Sequence, residues 1–167
     1  MKMVLFSINR PHTDNIKIGA KKCELRTKPP KIREPYKALV YETKKNGGCG
    51  RVIGEFTAFN EFTHRICMGV PKHLVLEGCV SVEDIWAYTN KGEKDLTEIS
   101  ISDFVLYEKP KDLSDFSIKR TITTLTTEYN IEGIVHYPRK EIVFDKLTRP
   151  PQSWCYVYNT NTKGEDD

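Results

Sequence analysis

The sequence predicts an α+β fold in which a small barrel-like β-sheet is accompanied by a few short helices. Short runs of alternating apolar and polar residues recur along the 167 residues, and the helical patterns between them are brief. Two of these runs are joined by an Asn-Gly turn, which is typical of a β-hairpin. A chain of this length usually forms one domain, so we expect a single domain over 1–158 and a disordered acidic tail over 159–167.

The chain begins with a strand and a short helix. Residues 3–8 are too few and too apolar for an exposed helix, which favours a strand. Asn9 is a good helix N-cap, Pro11 is tolerated in a first helical turn, and Gly19 suits the left-handed residue that ends a helix. We therefore predict one short helix between Asn9 and Gly19.

The next strand carries the first candidate site. Cys23 and Leu25 alternate with Glu24 and Arg26, as in a half-buried strand with one apolar and one charged face. Glu24 and Arg26 are neighbours on the charged face, at a spacing that allows them to pair. Lys21 falls on the opposite face by strict alternation, so it joins them only if it lies in an irregular turn after the helix.

A proline-rich basic loop and a hairpin follow. Prolines between 27 and 37 interrupt regular structure, and the runs 37–43 and 51–59 are predicted strands on either side of a glycine-rich turn. Gly54 within the second strand marks a bulge or a close approach of two backbones. We expect Glu55 to point toward the polar cleft and Phe56 into the core.

The patterns beyond residue 60 are weaker. Residues 74–82 fit a strand, and residues 82–88 fit a helical turn capped by Ser81. The later elements are, in chain order, a strand over 98–107 with a break near Asp103, a loop over 113–116 that packs on the barrel, a segment over 118–130 that suits a helix or a strand, a hairpin or irregular excursion around Pro138, and a closing strand over 153–158.

The net charge of +3 is modest, but the basic residues are unevenly distributed. Lysine and arginine residues cluster between 17 and 37, whereas the chain ends in acidic residues. A local basic patch attracts phosphate, although a solvated loop has the same composition. No apolar run has the length needed to cross a bilayer, and the N-terminus lacks the pattern of a signal peptide. We therefore predict a cytoplasmic protein without a membrane partner.

The cysteines and histidines do not follow a metal-binding pattern. Five cysteines, an odd number, argue against a disulfide framework. His64, Cys67, His73 and Cys79 lie within sixteen residues, but their gaps match no common zinc finger or ribbon. The sequence therefore predicts neither a metal site nor a cofactor.

Several segments in the right order resemble the ASCH domain, a branch of the PUA-like superfamily. Gly19, Lys21, Glu24 and Arg26 fit its G-x-K-x-x-E-x-R pattern. The other similar segments are Leu5-Phe6-Ser7-Ile8, Val52-Ile53-Gly54-Glu55-Phe56, Tyr107-Glu108-Lys109-Pro110 and Arg149-Pro150-Pro151-Gln152-Ser153-Trp154. The resemblance runs from the N-terminus to about Tyr158 and implies a PUA-like pseudo-barrel.

The resemblance mainly implies a module that binds RNA, single-stranded nucleic acid or a modified nucleoside. Lys21 and Arg26 would offer positive charge to phosphate, with the basic loop extending the track. Tyr41, among the aromatic residues, is a candidate to stack on a base. Further candidate ligand-binding residues are Ser7, Glu24, Thr43, Glu55, Arg149 and Ser153.

The resemblance also implies an alternative, because some ASCH members hydrolyse the amide of an acetylated cytidine nucleoside. They use the motif lysine, a hydroxyl residue at the motif's glutamate position and a downstream carboxylate; others are ribonucleases. Carried over, Lys21 would be the catalytic base or nucleophile, with Glu24 where the hydroxyl residue would be. Because a carboxylate there stabilises the lysine ammonium, we expect Lys21 to act as a hydrogen-bond donor. A third alternative is a protein-contact module, for which the sequence offers no helical recognition face.

Overall fold

A computed structural model describes residues 1–33 and 35–159, and it has the predicted mixture of many strands and few short helices. The strands are β1 Lys2–Ile8, β2 Cys23–Arg26, β3 Tyr36–Glu42, β4 Arg51–His64, β5 Leu96–Lys111, β6 Phe116–Asn130, β7 Gly133–Lys146 and β8 Trp154–Asn159. The α-helices of the described ranges are α1 His12–Lys17, α2 Lys72–Gly78 and α3 Val82–Tyr88. None of these helices has the length and apolar character needed to span a bilayer.

All eight strands belong to one sheet in the order β2-β5-β4-β3-β1-β8-β6-β7. The pairing of β1 with β3 is parallel, and the other pairings are antiparallel. β2 and β7 are the two ends of the sheet and do not pair with each other, so the barrel-like sheet predicted from the sequence is an open pseudo-barrel.

The central strand β1 is buried on both faces, and its alternating residues belong to two core clusters. Phe6 packs with residues such as Val40 and Phe56 on one face. Leu5 packs with Leu39 and other residues on the opposite face. This division matters for the site because residues of one strand that alternate in sequence face different clusters.

The hairpin of β3 and β4 is confirmed, and Gly54 has the predicted role. A Cβ atom at Gly54 would lie 2.4 Å from the carbonyl oxygen of Val105, so the backbones of β4 and β5 approach too closely for a larger residue. The break predicted near Asp103 is also present, because Asp103 has a φ of 50° within β5.

Helices α2 and α3 cover the end of the sheet beside β2. The strand predicted over 74–82 is wrong: α2 ends at Gly78, and Cys79 follows in the left-handed conformation with a φ of 51°. Leu74 is buried in a third core cluster with Leu25. The apolar residues around Leu74 therefore form the buried face of helix α2. The predicted Ser81 cap of α3 is confirmed, since the Ser81 hydroxyl accepts a hydrogen bond from the Asp84 amide.

Strands β6 and β7 form a long ribbon that extends from the rest of the sheet. The segment 118–130, which suited a helix or a strand, is a strand that pairs continuously with β7 from Ser117 opposite Lys146 to Asn130 opposite Gly133. Pro138 lies opposite Leu125 in the edge strand β7, where a missing N–H costs little. The predicted tail beyond Asn159 lies outside the described residues.

Candidate functional site

The turn between α1 and β2 places Lys21 beside the charged residues of β2. Gly19 has a φ of 71°, as predicted for the residue that ends the helix. The amides of Ala20 and Lys21 then both donate to the carbonyl of Asn15, at 2.9 and 3.0 Å. Lys21 therefore precedes the strand in an irregular turn, which is the condition under which it joins Glu24 and Arg26.

Lys21, Glu24 and Arg26 form a buried ionic cluster. Arg26 Nη2 lies 2.8 Å from Glu24 Oε1, and Lys21 Nζ lies 3.5 Å from Glu24 Oε2. Lys21 Nζ also donates to the carbonyl of Gly78 at 2.7 Å. The three residues are only 3%, 6% and 7% exposed. Strand β2 was expected to be half-buried, but its charged face is buried as well. Helix α2 and the segment before β8 contact the charged side chains.

Arg26 is fixed by partners from both ends of the chain. Its Nη1 donates to the Ser153 hydroxyl at 3.0 Å, and its Nη2 donates to the Ser7 carbonyl at 3.1 Å. The guanidinium also lies over the ring of Phe6, 5.1 Å from its centre. The Ser7 hydroxyl in turn donates to the carbonyl of Pro151 at 2.7 Å. Ser7 and Ser153 therefore belong to the cluster as supports of Arg26.

The cluster carries fixed charges. Burial raises the pKa of Glu24, but the positive charges of Arg26 and Lys21 outweigh it and hold that pKa below its usual range. Burial and the nearby Lys21 lower the pKa of His12, against opposing effects of Glu24 and Asp84. At neutral pH, Glu24 is therefore a carboxylate and His12 is an uncharged ring. Lys21 Nζ faces the Gly78 carbonyl and the Glu24 carboxylate as acceptors.

The ionic cluster forms one side of a cleft of about 440 Å³. Helix α1, strand β2, helix α3 and the turn between β3 and β4 all contribute to it. Its lining residues are Asn9, His12, Lys21, Glu24, Leu25, Arg26, Lys45, Val80, Asp84, Ile85, Tyr88 and Leu96. A second concavity of about 370 Å³ at Pro35, Thr57, Phe59, Asn60 and Ser102 has no charged lining, so we take the first as the candidate site.

Besides Ser7 and Ser153, which support Arg26, four sequence-predicted site residues lie outside the lining of this cleft. Tyr41 is 4% exposed and packs in the core cluster of Leu39. Thr43 follows β3, and its amide donates to the carbonyl of Ile8. Arg149 is exposed in the segment before β8. Each is a residue that the resemblance suggested but that the structure does not bring to Lys21.

Glu55 is the fourth of these residues. It was expected to point toward the polar cleft, but it does not. Glu55 lies opposite Leu39 in the β3–β4 pairing, so it shares the face of the second core cluster. There it accepts hydrogen bonds from Lys37 and Tyr107, both at 2.5 Å. Phe56, which was expected in the core, is 2% exposed and packs with Phe6 on the face toward Arg26.

Nine of the twelve lining residues were not identified from the sequence as site residues, and His12, Asp84 and Tyr88 are among them. These three have side chains that can hydrogen-bond to a ligand or stack on it. Asp84 and Tyr88 are four residues apart on α3, so they share a helix face. That spacing after the Ser81 cap is the signal from which the sequence could have identified them.

A further group of side chains could hold a metal ion. The donor atoms of His64, His73 and Glu98 lie within 4.8 Å of one another. In the sequence these two histidines lie near Cys67 and Cys79, but within the described ranges their partner is Glu98, 34 residues from His64 and 25 from His73.

The open mixed sheet with its few short helices has the form of a PUA-like pseudo-barrel. The chain has the fold of an ASCH protein. It is similar to the crystal structure of ASCH from Zymomonas mobilis, with a TM-score of 0.57 and 18% identity over 66% of this chain and 73% of that chain. Two variants of that protein, serine to alanine and tyrosine to phenylalanine, match with a TM-score of 0.55 each. No protein-family model and no curated protein matches the sequence.

Proposed function

We propose that the protein binds RNA, another single-stranded nucleic acid or a free nucleotide by holding one nucleoside unit in the cleft beside Lys21, Glu24 and Arg26. The observation that carries this proposal is the buried ionic cluster at the side of a cleft of about 440 Å³. That volume is at the lower end of small-molecule sites, which span about 300–1,000 Å³. It suits one nucleoside better than a run of nucleotides.

The polar groups of the cleft match the edge of a base. An ammonium has three N–H donors, and the Gly78 carbonyl and Glu24 carboxylate use two of those of Lys21. The third N–H is available to a ligand acceptor. The carboxylate of Glu24 accepts hydrogen bonds, and uncharged His12 has an Nδ1 atom without a partner among the described residues. Donors and acceptors at fixed positions favour a ligand with both, such as a nucleobase.

Tyr88 is the aromatic residue of the cleft that is free to stack on a base. It is 46% exposed on α3 and lines the cleft. Trp154 does not line the cleft, and its ring N–H donates to the carbonyl of Lys28 at 2.6 Å. Stacking on an exposed aromatic face adds affinity for any base.

A strand would leave the cleft along the basic loop after β2. Lys28, Lys31 and Arg33 are exposed there, directly after Arg26 in the chain. They do not line the cleft, so their role in this proposal is to contact phosphates outside it. About three such contacts give a slope of roughly −2 for log affinity against log salt with a single strand. A cytoplasmic location belongs to the same proposal.

An amide hydrolase is the second candidate, because Asp84 supplies a downstream carboxylate in the same cleft as Lys21. The contacts of Lys21 oppose it, since its Nζ already donates to the Gly78 carbonyl and pairs with the Glu24 carboxylate, whereas a base needs a free lone pair directed at the substrate. Release of acetate from acetylated cytidine, lost in Lys21→Arg, would favour this candidate over binding alone.

Binding of a five-nucleotide RNA and of cytidine monophosphate to Tyr88→Ala tests the proposal. Loss of a stacked base costs about 1–3 kcal/mol, which corresponds to a weakening of roughly 5- to 150-fold in fluorescence anisotropy or calorimetry. Tyr129→Ala is the matched control, because Tyr129 is 80% exposed on the β6–β7 ribbon. Equal weakening in both variants, or no RNA or nucleotide binding at low salt, would contradict the proposal.

A further inference from the structure

Two histidines contact the same carboxylate oxygen at the end of the sheet that α2 covers, and the three residues come from three different elements. His64 is the last residue of β4, His73 lies in the first turn of α2, and Glu98 lies in β5. His64 Nε2 is 2.9 Å and His73 Nε2 is 3.1 Å from the same atom, Glu98 Oε2. The two imidazole ring centres are 5.3 Å apart. The proposed cleft does not use any of these residues.

Both histidine nitrogens lie at a metal-ligand spacing from the Glu98 oxygen, and all three donor atoms are within 4.8 Å of one another. Histidine nitrogens and carboxylate oxygens bind Zn²⁺ at about 2.0–2.2 Å in a tetrahedral arrangement, so two ligand atoms of one ion lie roughly 3.3 Å apart. Both observed distances between histidine nitrogen and Glu98 oxygen are close to that value. Two imidazoles and one carboxylate also form a donor set that borderline divalent ions prefer over Mg²⁺ or Ca²⁺.

The fold holds two of the three donors in place. Glu98 lies opposite Phe62 in the β4–β5 pairing, and the ring of Phe62 contacts His64 edge-on with centres 4.8 Å apart. The side chains of His64 and Glu98 are 10% and 13% exposed, whereas that of His73 is 46% exposed. The site is therefore rigid on its sheet side and open toward solvent beside His73.

We propose that His64, His73 and Glu98 bind one divalent ion of the zinc class, with the remaining coordination position open to water or to a ligand. The ion would link α2 to the sheet through His73. At its other end, α2 supplies the Gly78 carbonyl to Lys21 and the Glu77 carbonyl to the amide of Lys22, at 2.7 Å in each case. Metal binding thus stabilises the helix that borders the ionic cluster.

Calorimetric titration of the reduced protein with Zn²⁺ and with Mg²⁺ tests this site directly. We expect one Zn²⁺ per chain, no comparable binding of Mg²⁺, and a rise of the melting temperature with Zn²⁺. His73→Ala removes the half-exposed ligand and leaves the buried pair intact, so the variant should fold. Loss of a ligand weakens affinity by more than the roughly 10- to 100-fold that second-sphere partners cost.

Cys67→Ser is the matched control, because Cys67 is exposed in the turn after His64 and belongs to the set of free cysteines. We expect its zinc affinity to equal that of the wild type. Substitution with Co²⁺ adds a spectroscopic readout, in which a site of nitrogen and oxygen ligands lacks the thiolate charge-transfer band. Failure of the wild type to bind Zn²⁺, equal zinc affinity in His73→Ala, or a thiolate band lost in Cys67→Ser would overturn the proposal.

Discussion

Two buried carboxylates near helix α1 have contrasting surroundings. Glu24 is held by the cations Lys21 and Arg26 at the side of the cleft. Glu42, at the end of β3, accepts hydrogen bonds at 2.8 Å from the Thr13 hydroxyl, Lys17 Nζ and the Cys49 amide. Glu42 does not line the cleft.

The difference separates a residue that holds the fold together from one that also lines a cleft. The partners of Glu42 come from α1 and from the turn after β3, so its hydrogen bonds fasten that helix and that turn to the sheet. The Glu24 cluster buries three charges, and a buried ionic cluster is often no more stable than apolar residues of the same size. Its position beside a cleft therefore fits the proposed binding role better than a role in stability.

The largest expected effect comes from Glu24→Gln. The variant leaves Lys21 and Arg26 buried without a counter-charge, which costs about 3–5 kcal/mol when one partner of a buried pair is removed. Urea denaturation of wild type and variant measures the free energy of unfolding. A loss below about 1 kcal/mol, typical of exposed ion pairs, would show that the cluster is not desolvated.

Glu42→Gln should have a smaller effect that depends on pH. Burial raises the pKa of Glu42, but hydrogen bonds from Lys17, the Cys49 amide and Thr13 lower it to about 2. Because the folded pKa lies below the ordinary 4.5, the stabilisation is present above pH 4.5 and is lost as the pH falls toward 2. This stabilisation of the folded state amounts to about 3 kcal/mol.

The free energy of unfolding of Glu42→Gln, measured by urea denaturation between pH 2 and 7, checks this. The gap between wild type and variant should be widest near neutral pH and should narrow toward pH 2. A gap that stays constant over this range would mean that Glu42 does not act through its charge. Glu24→Gln measured over the same range shows whether the two carboxylates differ as proposed.

Ser153→Ala should have the smallest effect of the three. It removes the acceptor of Arg26 Nη1 and costs about 1 kcal/mol, since one hydrogen bond to a well-anchored guanidinium is lost. Ser114→Ala is the control, because Ser114 is exposed in the turn before β6 and should change stability by less than about 0.5 kcal/mol. Equal unfolding free energies for the two variants would remove Ser153 from the cluster.

The sequence predicted the parts of the fold that depend on local chemistry. Gly19 ends α1, Ser81 caps α3, and Gly54 marks a close backbone approach, because each effect is set within a few residues or by one missing side chain. The motif also predicted that Lys21 joins Glu24 and Arg26 if the turn is irregular, and the turn is irregular.

The remaining features depend on contacts between distant segments. The apolar run at Leu74 was assigned to a strand because the buried helix face against β2 is formed by tertiary packing. Glu55 was assigned to the cleft, although the pairing with β3 places it on the other face. The cluster of His64, His73 and Glu98 joins residues from three elements, and spacing along the chain does not reveal such a group.

The central claim is that the cleft beside Glu24 binds a nucleoside unit, whereas the surroundings of Glu42 only hold the fold together. A ¹H–¹⁵N NMR titration with cytidine monophosphate and with a five-nucleotide RNA tests both parts of this claim in one experiment. We predict that the amide signals of Glu24, Arg26 and Tyr88 shift progressively with either ligand, while those of Lys17 and Glu42 stay in place. Signals of Glu24 and Tyr88 that do not move at millimolar ligand, or largest shifts at Glu42, would contradict the claim.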